Sequence, residues 1–167
     1  MTTLLYAAYG SNLHPKRIRE RAPSSRLVGT TSVSGLGLRF HKRSSDGSGK
    51  CNIVVAPESV YVAVYELKRS EKLKLDRIEG LGRGYDEQQL EVAGFGSCFA
   101  YIASRESVDE SLVPYSWYKK LVLLGCEYHG IPDTYVHVIR NVAEVGDMDK
   151  QRHAKNMQLA RRIANGK

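Results

Sequence analysis

The chain has little cysteine and no long apolar run. Its three cysteines, Cys51, Cys98 and Cys126, are odd in number, widely spaced and free of any CxxC pattern. They read as reduced, buried, small apolar residues and argue against a disulfide framework. No apolar stretch approaches the roughly 18 residues needed to span a bilayer. The opening MTTLLYAAYG lacks a basic leader region and is too aromatic for a signal peptide, so a cytoplasmic protein with no membrane partner is expected. The five histidines show no metal-ligand spacing. His129 and His137 stand eight apart across an expected helix break, and no Ser-His-Asp arrangement stands out. Internal repeats and linkers rich in Pro, Gly or Ser are also missing. With 167 residues, this points to a single domain over 1–167, with 148–167 as a C-terminal basic helix.

What is present in excess is positive charge: 25 Lys and Arg against 18 Asp and Glu, a formal net charge of +7. The excess sits in Lys16–Arg43 and in Lys150–Lys167. It fits an anionic partner, whether nucleic acid or an acidic small substrate, or simply solvated helix faces. The basic residues do not interleave with aromatics, and no nucleic-acid motif appears, so a nucleic-acid partner is not expected.

Strands are expected at 3–9, 26–33, 35–41, 51–56, 60–67, 85–93 and 97–104, with a flexible loop at 44–50. Helices are expected at Leu13–Arg21, 70–80, 114–128, 132–140 and 148–164. Pro15 suits the first turn of its helix, Ser70 and Gly80 mark the ends of theirs, and Pro57 bounds a strand. Six or seven strands interrupted by helices give an α+β fold, a small mixed barrel-like β-sheet surrounded by helices.

Three stretches suggest chemistry. In YAAYGSNL, residues 6–13, an apolar strand stops at Gly10-Ser11-Asn12 just before a helix. Gly10 allows a sharp bend, and three successive amides beside a helix start favour an anion. The same residues also suit a plain helix cap. In LDRIEG, residues 75–80, Glu79 shares a face with Leu75 and ends a helix. Partial burial and the negative helix end are expected to tune it for proton transfer near neutrality, unless it is a surface residue. Gly80, Gly82 and Gly84 follow, then Tyr85. In PYSWYKKLVLLGCEYHGIP, Trp117 and Tyr118 open a helix whose apolar face continues through Leu121 and Leu124. They could be core, or Tyr118 could put its hydroxyl into a pocket.

In this order the three stretches resemble the γ-glutamylcyclotransferase family, from about Leu4 to about Val142. The resemblance implies conversion of γ-glutamyl amines or amino acids into 5-oxoproline and free amine, with a small γ-glutamyl substrate and no metal or organic cofactor. It implies that the turn Gly10, Ser11, Asn12 holds the glutamyl moiety and that Glu79 is the acid/base. Tyr6, Ala7, Ala8, Tyr9, Tyr85 and Tyr118 complete the expected pocket. Asn12 argues against the glutathione-specific branch. The last helix, with Met157, Leu159, Ala160 and Ile163 among cations, could pack on its own domain or on another copy as a homodimer.

Overall fold

The computed structural model describes residues 2–165; Met1, Gly166 and Lys167 lie outside it, so the expected basic stretch to Lys167 is seen only as far as Asn165. Five strands form one sheet: β1 (Thr3–Ala8), β2 (Arg26–Arg43), β3 (Gly49–Lys68), β4 (Tyr85–Val92) and β5 (Gly96–Ala103). Their order is β2-β3-β1-β5-β4. β1 carries consecutive rather than alternating apolar residues, as suits a strand covered on both faces. Its Tyr6, Ala7 and Ala8 are all buried. It pairs antiparallel with β3, from Thr3 opposite Lys68 to Ala8 opposite Ala63, and parallel with β5 at Tyr6 and Phe99. The sheet curls into a half-barrel, with five helices completing the α+β architecture.

The expected six or seven strands are therefore five, because two expected breaks are bulges. Gly35, with φ 79°, lets β2 run on through a register shift between Ser34 and Leu36. Opposite it, Ser34 pairs with Ser59 and Leu36 with Val55. Three β3 residues, 56–58, thus face one β2 residue. Pro57 sits inside that irregularity, where its missing N–H costs no regular ladder bond.

The helices are α1 (Pro15–Arg21), α2 (Arg69–Glu79), α3 (Ser116–Tyr128), α4 (Asp133–Asn141) and α5 (Lys150–Ala164). α1 starts two residues later than expected, with His14 as its cap: the ring Nδ1 accepts from the Lys16 N–H at 3.1 Å. α2 follows β3 directly, so Lys68 rather than Ser70 precedes it. Gly80 closes α2 with φ 81°, its N–H donating to the Asp76 carbonyl at 2.9 Å. α5 buries Leu159, Ala160 and Ile163 within its own chain, packing mainly on α3, with Arg162 reaching Glu20 of α1 at 3.2 Å. Among the described residues no helix is long and apolar enough to cross a membrane.

The core fills the concave side of the sheet and the helix faces on it. Tyr65, Leu67, Leu75 and Leu121 are each at most 1% exposed; burying side chains of this kind stabilises by about 1.5–3 kcal/mol each. One close approach positions the site. α3 passes so near the turn after β1 that a Cβ on Gly125 would stand 2.4 Å from Leu13 Cβ and 3.1 Å from the His14 nitrogen. Gly125→Ala should gain about 1 kcal/mol of helix propensity but lose about 1–3 kcal/mol to overpacking against backbone. The expected net result is a lower urea midpoint with an unchanged m-value. A raised midpoint would show that helix and turn are not in tight contact.

Candidate active site

The turn after β1 is fixed from several sides. The Leu13 N–H donates to the Gly10 carbonyl at 3.0 Å, closing the chain over Ser11 and Asn12. The Leu13 carbonyl in turn accepts from the Tyr65 hydroxyl and lies 2.7 Å from His129 Nε2. Because His14 caps α1, neither Ser11 nor Asn12 is used as a cap. The amides of Gly10, Ser11 and Asn12 donate to no group among the described residues. A Cβ on Gly10 would meet Cys51 Cβ at 3.0 Å and the Tyr118 hydroxyl at 3.4 Å, so only glycine lets the turn lie this close to β3 and α3.

A cavity of about 20 Å³ opens at this turn. Tyr6, Tyr9 and the turn Gly10, Ser11, Asn12 border it on one side. Glu79, Tyr85 and Tyr118 border it from α2, β4 and α3. The structure thus brings together all but two of the residues expected there. Ala7 and Ala8 are fully buried in β1 and do not reach the cavity, because a methyl at these positions ends within the packing of the sheet. Two wall residues were not anticipated: Cys51 from β3 and Tyr101 from β5. A cavity of this size takes about one water-sized group. A larger ligand has to widen it, and Gly80, Gly82 and Gly84, all with positive φ, lie in the chain between the wall residues Glu79 and Tyr85.

Glu79 is anchored through one oxygen. Its Oε1 accepts from Asn12 Nδ2 at 2.9 Å and from the Arg21 guanidinium. Arg21 Nη1 also donates to Asn12 Oδ1 at 3.0 Å, and Asn12 Nδ2 lies 3.1 Å from the Tyr6 hydroxyl. Oε2 makes no hydrogen bond among the described residues. The two charged side chains are 15% and 16% exposed, so their attraction is little screened. Arg21 was missed in the sequence. It lies in a run of basic residues that reads equally well as a solvated helix face, and only folding brings it to a carboxylate 58 positions away.

Burial, reinforced by the nearby charge of Glu79, pushes the pKa of Tyr6, Tyr9, Tyr85, Tyr101 and Tyr118 upward, so all five are neutral phenols. Three of their protons are already committed. Tyr9 donates to the Tyr101 carbonyl, Tyr85 to the Cys51 carbonyl at 2.5 Å, and Tyr101 to Asp76 Oδ1 at 2.7 Å. Tyr118 accepts from the Cys51 N–H at 3.1 Å, and Tyr6 accepts from Asn12. Tyr6 and Tyr118 are therefore the phenols with protons to offer a ligand. Burial pushes the Cys51 thiol up to about 12, which keeps it protonated. Among the described residues no cluster of His, Cys, Asp and Glu is arranged to hold a metal ion.

Residues 59–139 match the model of the AIG2-like family. The chain is 28% identical over 151 residues to the gamma-glutamylcyclotransferase of Homo sapiens, covering 84% of this chain and 79% of the relative. It matches that of Mus musculus at the same identity and coverage. A solved gamma-glutamyl cyclotransferase superposes with a TM-score of 0.83 at 24% identity, over 96% of this chain and 99% of the other. The fold is therefore γ-glutamylcyclotransferase-like. In sequence the chain is thus similar to gamma-glutamylcyclotransferases over most of its length, as its three motifs suggest. Its curated homologues are gamma-glutamylcyclotransferases.

The cap at the base of the turn gives this site a pH dependence. Burial, with Lys16 and His129 nearby, lowers the His14 pKa from 6.5 to about 4. Below 6.5 the unfolded chain takes up a proton there that the folded chain refuses until about 4. The contribution is therefore whole above 6.5 and lost as pH falls through this window. Thermal melts should show His14→Asn, which keeps a cap acceptor but does not titrate, losing less stability than wild type between these pH values. Equal losses in the two proteins would refute the assignment.

Proposed function

We propose that this protein is a γ-glutamyl cyclotransferase that converts a γ-glutamyl amino acid or amine into 5-oxoproline and the free amine. The observation that carries this reading is the Glu79 carboxylate, held on Oε1 by Arg21 and Asn12 beside a turn of three undonated amides. The substrate contains its own nucleophile, the α-amine, and attack on the γ-carbonyl closes a five-membered ring. No protein nucleophile is then required, which fits a wall whose one thiol stays protonated. Holding the folded-back conformer can contribute up to ~7–11 kcal/mol.

Glu79 Oε2 takes a proton from the α-ammonium, freeing the amine to attack. The same carboxyl returns that proton to the departing nitrogen as the γ-C–N bond breaks, then takes the second proton that the attacking nitrogen sheds on becoming the ring amide and passes it to the released amine, which leaves as the ammonium. Arg21 and Asn12 keep Oε1 occupied throughout, so the exchange happens on one oxygen at a fixed place. The amides at 10–12 hold an anionic group of the glutamyl moiety or the oxyanion of the tetrahedral intermediate. The free protons of Tyr6 and Tyr118 stabilise developing negative charge.

The test is 5-oxoproline release from γ-glutamyl-alanine and related compounds. Glu79→Gln should lower turnover by roughly 10²–10⁴-fold, the range of general acid–base catalysis, while still binding substrate. Near-normal turnover by this variant would sink the mechanism. Arg21→Met should lower kcat more than it raises KM, by roughly 10- to 100-fold if the lost charge-assisted bond is worth about 1.5–3 kcal/mol. Added guanidinium ion should restore part of it. A stable Arg21→Met protein with full kcat would show that Arg21 does not position Glu79.

A further inference from the structure

The two basic segments of the sequence meet where α1 and α5 share a cavity, and the proposed reaction uses only Arg21 from them. α1 carries Lys16, Arg17 and Arg19, and α5 carries Arg152, Lys155 and Arg162. The cavity measures about 520 Å³ and is separate from the one that Glu79 borders. Arg17, Arg152, Lys155 and Arg162 line it, against the carboxylates of Glu20 and Asp149. On α5 the lining positions 152, 155, 159 and 162 fall on one helix face, so the fold gathers these cations rather than scattering them. A second cavity, of about 380 Å³, shares Glu20 and Arg162 and adds Lys16 and Arg19.

The charges in this wall are unevenly matched. Arg152 is satisfied, because Asp147 takes its guanidinium in two bonds of 2.6 Å. Arg21, one turn along α1 from Arg17, is taken by Glu79. Among the described residues Arg17 and Arg162 pair only with Glu20, which gives one oxygen to each, at 3.3 and 3.2 Å. Both distances exceed the roughly 2.7–2.9 Å of a good charge-assisted bond. The Arg17 side chain is 16% exposed, and its Nε is buried without a partner. Burial and the charge of Arg21 lower the Arg17 pKa from 12.5 to about 10, so the guanidinium stays charged at neutrality. One carboxylate is thus shared loosely between two guanidiniums. A phosphate monoester brings nearly two negative charges and three acceptor oxygens, which matches the pair better. A volume of several hundred cubic ångströms suits a small molecule. No aromatic side chain lines the cavity to stack the bases of a single strand. We infer that the cavity binds a small phosphorylated molecule, its phosphate held between Arg17 and Arg162 beside Lys155, with the Glu20 carboxylate displaced to solvent. Glu20 can move in this way, since its side chain is already 41% exposed.

Calorimetry at fixed ionic strength tests this, with inorganic phosphate and pyrophosphate as the probes. Wild type should bind pyrophosphate at a single site, and acetate, with one charge, should not compete. Arg17→Met and Arg162→Met should each weaken binding by about tenfold or more. Arg162 is 67% exposed, so its loss leaves the core intact even if Arg17→Met does not fold. Glu20→Gln removes the competing carboxylate and should tighten binding severalfold, a gain that losing a merely structural ion pair would not give. Failure of wild type to bind either probe saturably would overturn the site. So would binding that Arg162→Met and Glu20→Gln both leave unchanged, since the anion then sits elsewhere. A short single-stranded DNA that binds more tightly than pyrophosphate, and loses its hold in the same variants, would make this face a nucleic-acid surface and overturn the small-molecule reading. Every readout is a binding constant, so the site stands or falls whatever the outcome of the turnover assays.

Discussion

One carboxylate oxygen organises this molecule's polar interior. Glu79 Oε1 receives Asn12 and Arg21 together, and through them it ties the last residue of α2 to the turn after β1 and to the end of α1. The ion pair is mostly buried, and a pair of that kind adds little stability over a well-packed apolar substitute while being costly to break in half. Its value is in geometry. It fixes which oxygen of Glu79 is occupied and which faces the cavity, and it fixes the Asn12 amide by giving both of its ends a partner.

The rest of the structure serves to keep this arrangement in register. The Leu13 carbonyl is gripped by Tyr65 from the sheet and His129 from the end of α3. Gly125 brings α3 within contact of the same turn. Tyr9 reaches across to the Tyr101 carbonyl, joining β1 to β5 beyond their short parallel pairing. The cavity is thus walled by groups whose hydroxyls mostly point at backbone, and its chemistry falls to a few atoms that remain uncommitted.

Much of this was legible in the sequence, for reasons that differ by residue. Gly10, Glu79 and Tyr118 could be read because each stands at a place where a local pattern breaks: a strand ends, an acid closes a helix, or aromatics open one. The helices were legible to within a few residues because proline at 15 and glycine at 80 act locally. Arg21, Cys51 and Tyr101 were not legible as residues of the cavity or its anchor. Each looks ordinary among its neighbours and acquires a role only from a partner dozens of positions away. The strand count failed for a related reason. Gly35 and Pro57 are stop signals taken singly, but opposite one another in a paired ladder they make a bulge and the strands continue. Asn12 was open to two readings: its type suits a cap, but a histidine two residues later takes that place and Asn12 borders the cavity.

The order of the strands has a consequence for how the chain is made. Of the five strands β1 leaves the ribosome first, yet one sheet neighbour is the end of β3, around 63–68, and the other is β5, around 96–103. The fragment that will carry the turn at 10–12 must therefore wait, unpaired and apolar, while some sixty residues are added, and some ninety before its second edge is covered. Contacts so distant in sequence close slowly, and uncovered strand edges invite the wrong partners meanwhile. The long β2–β3 hairpin pairs residues close in the chain and can form early. It offers β1 its first edge as soon as residue 68 emerges, well before β5 exists to cover the other side. The turn that borders the cavity is thus made before the strands that complete its surroundings.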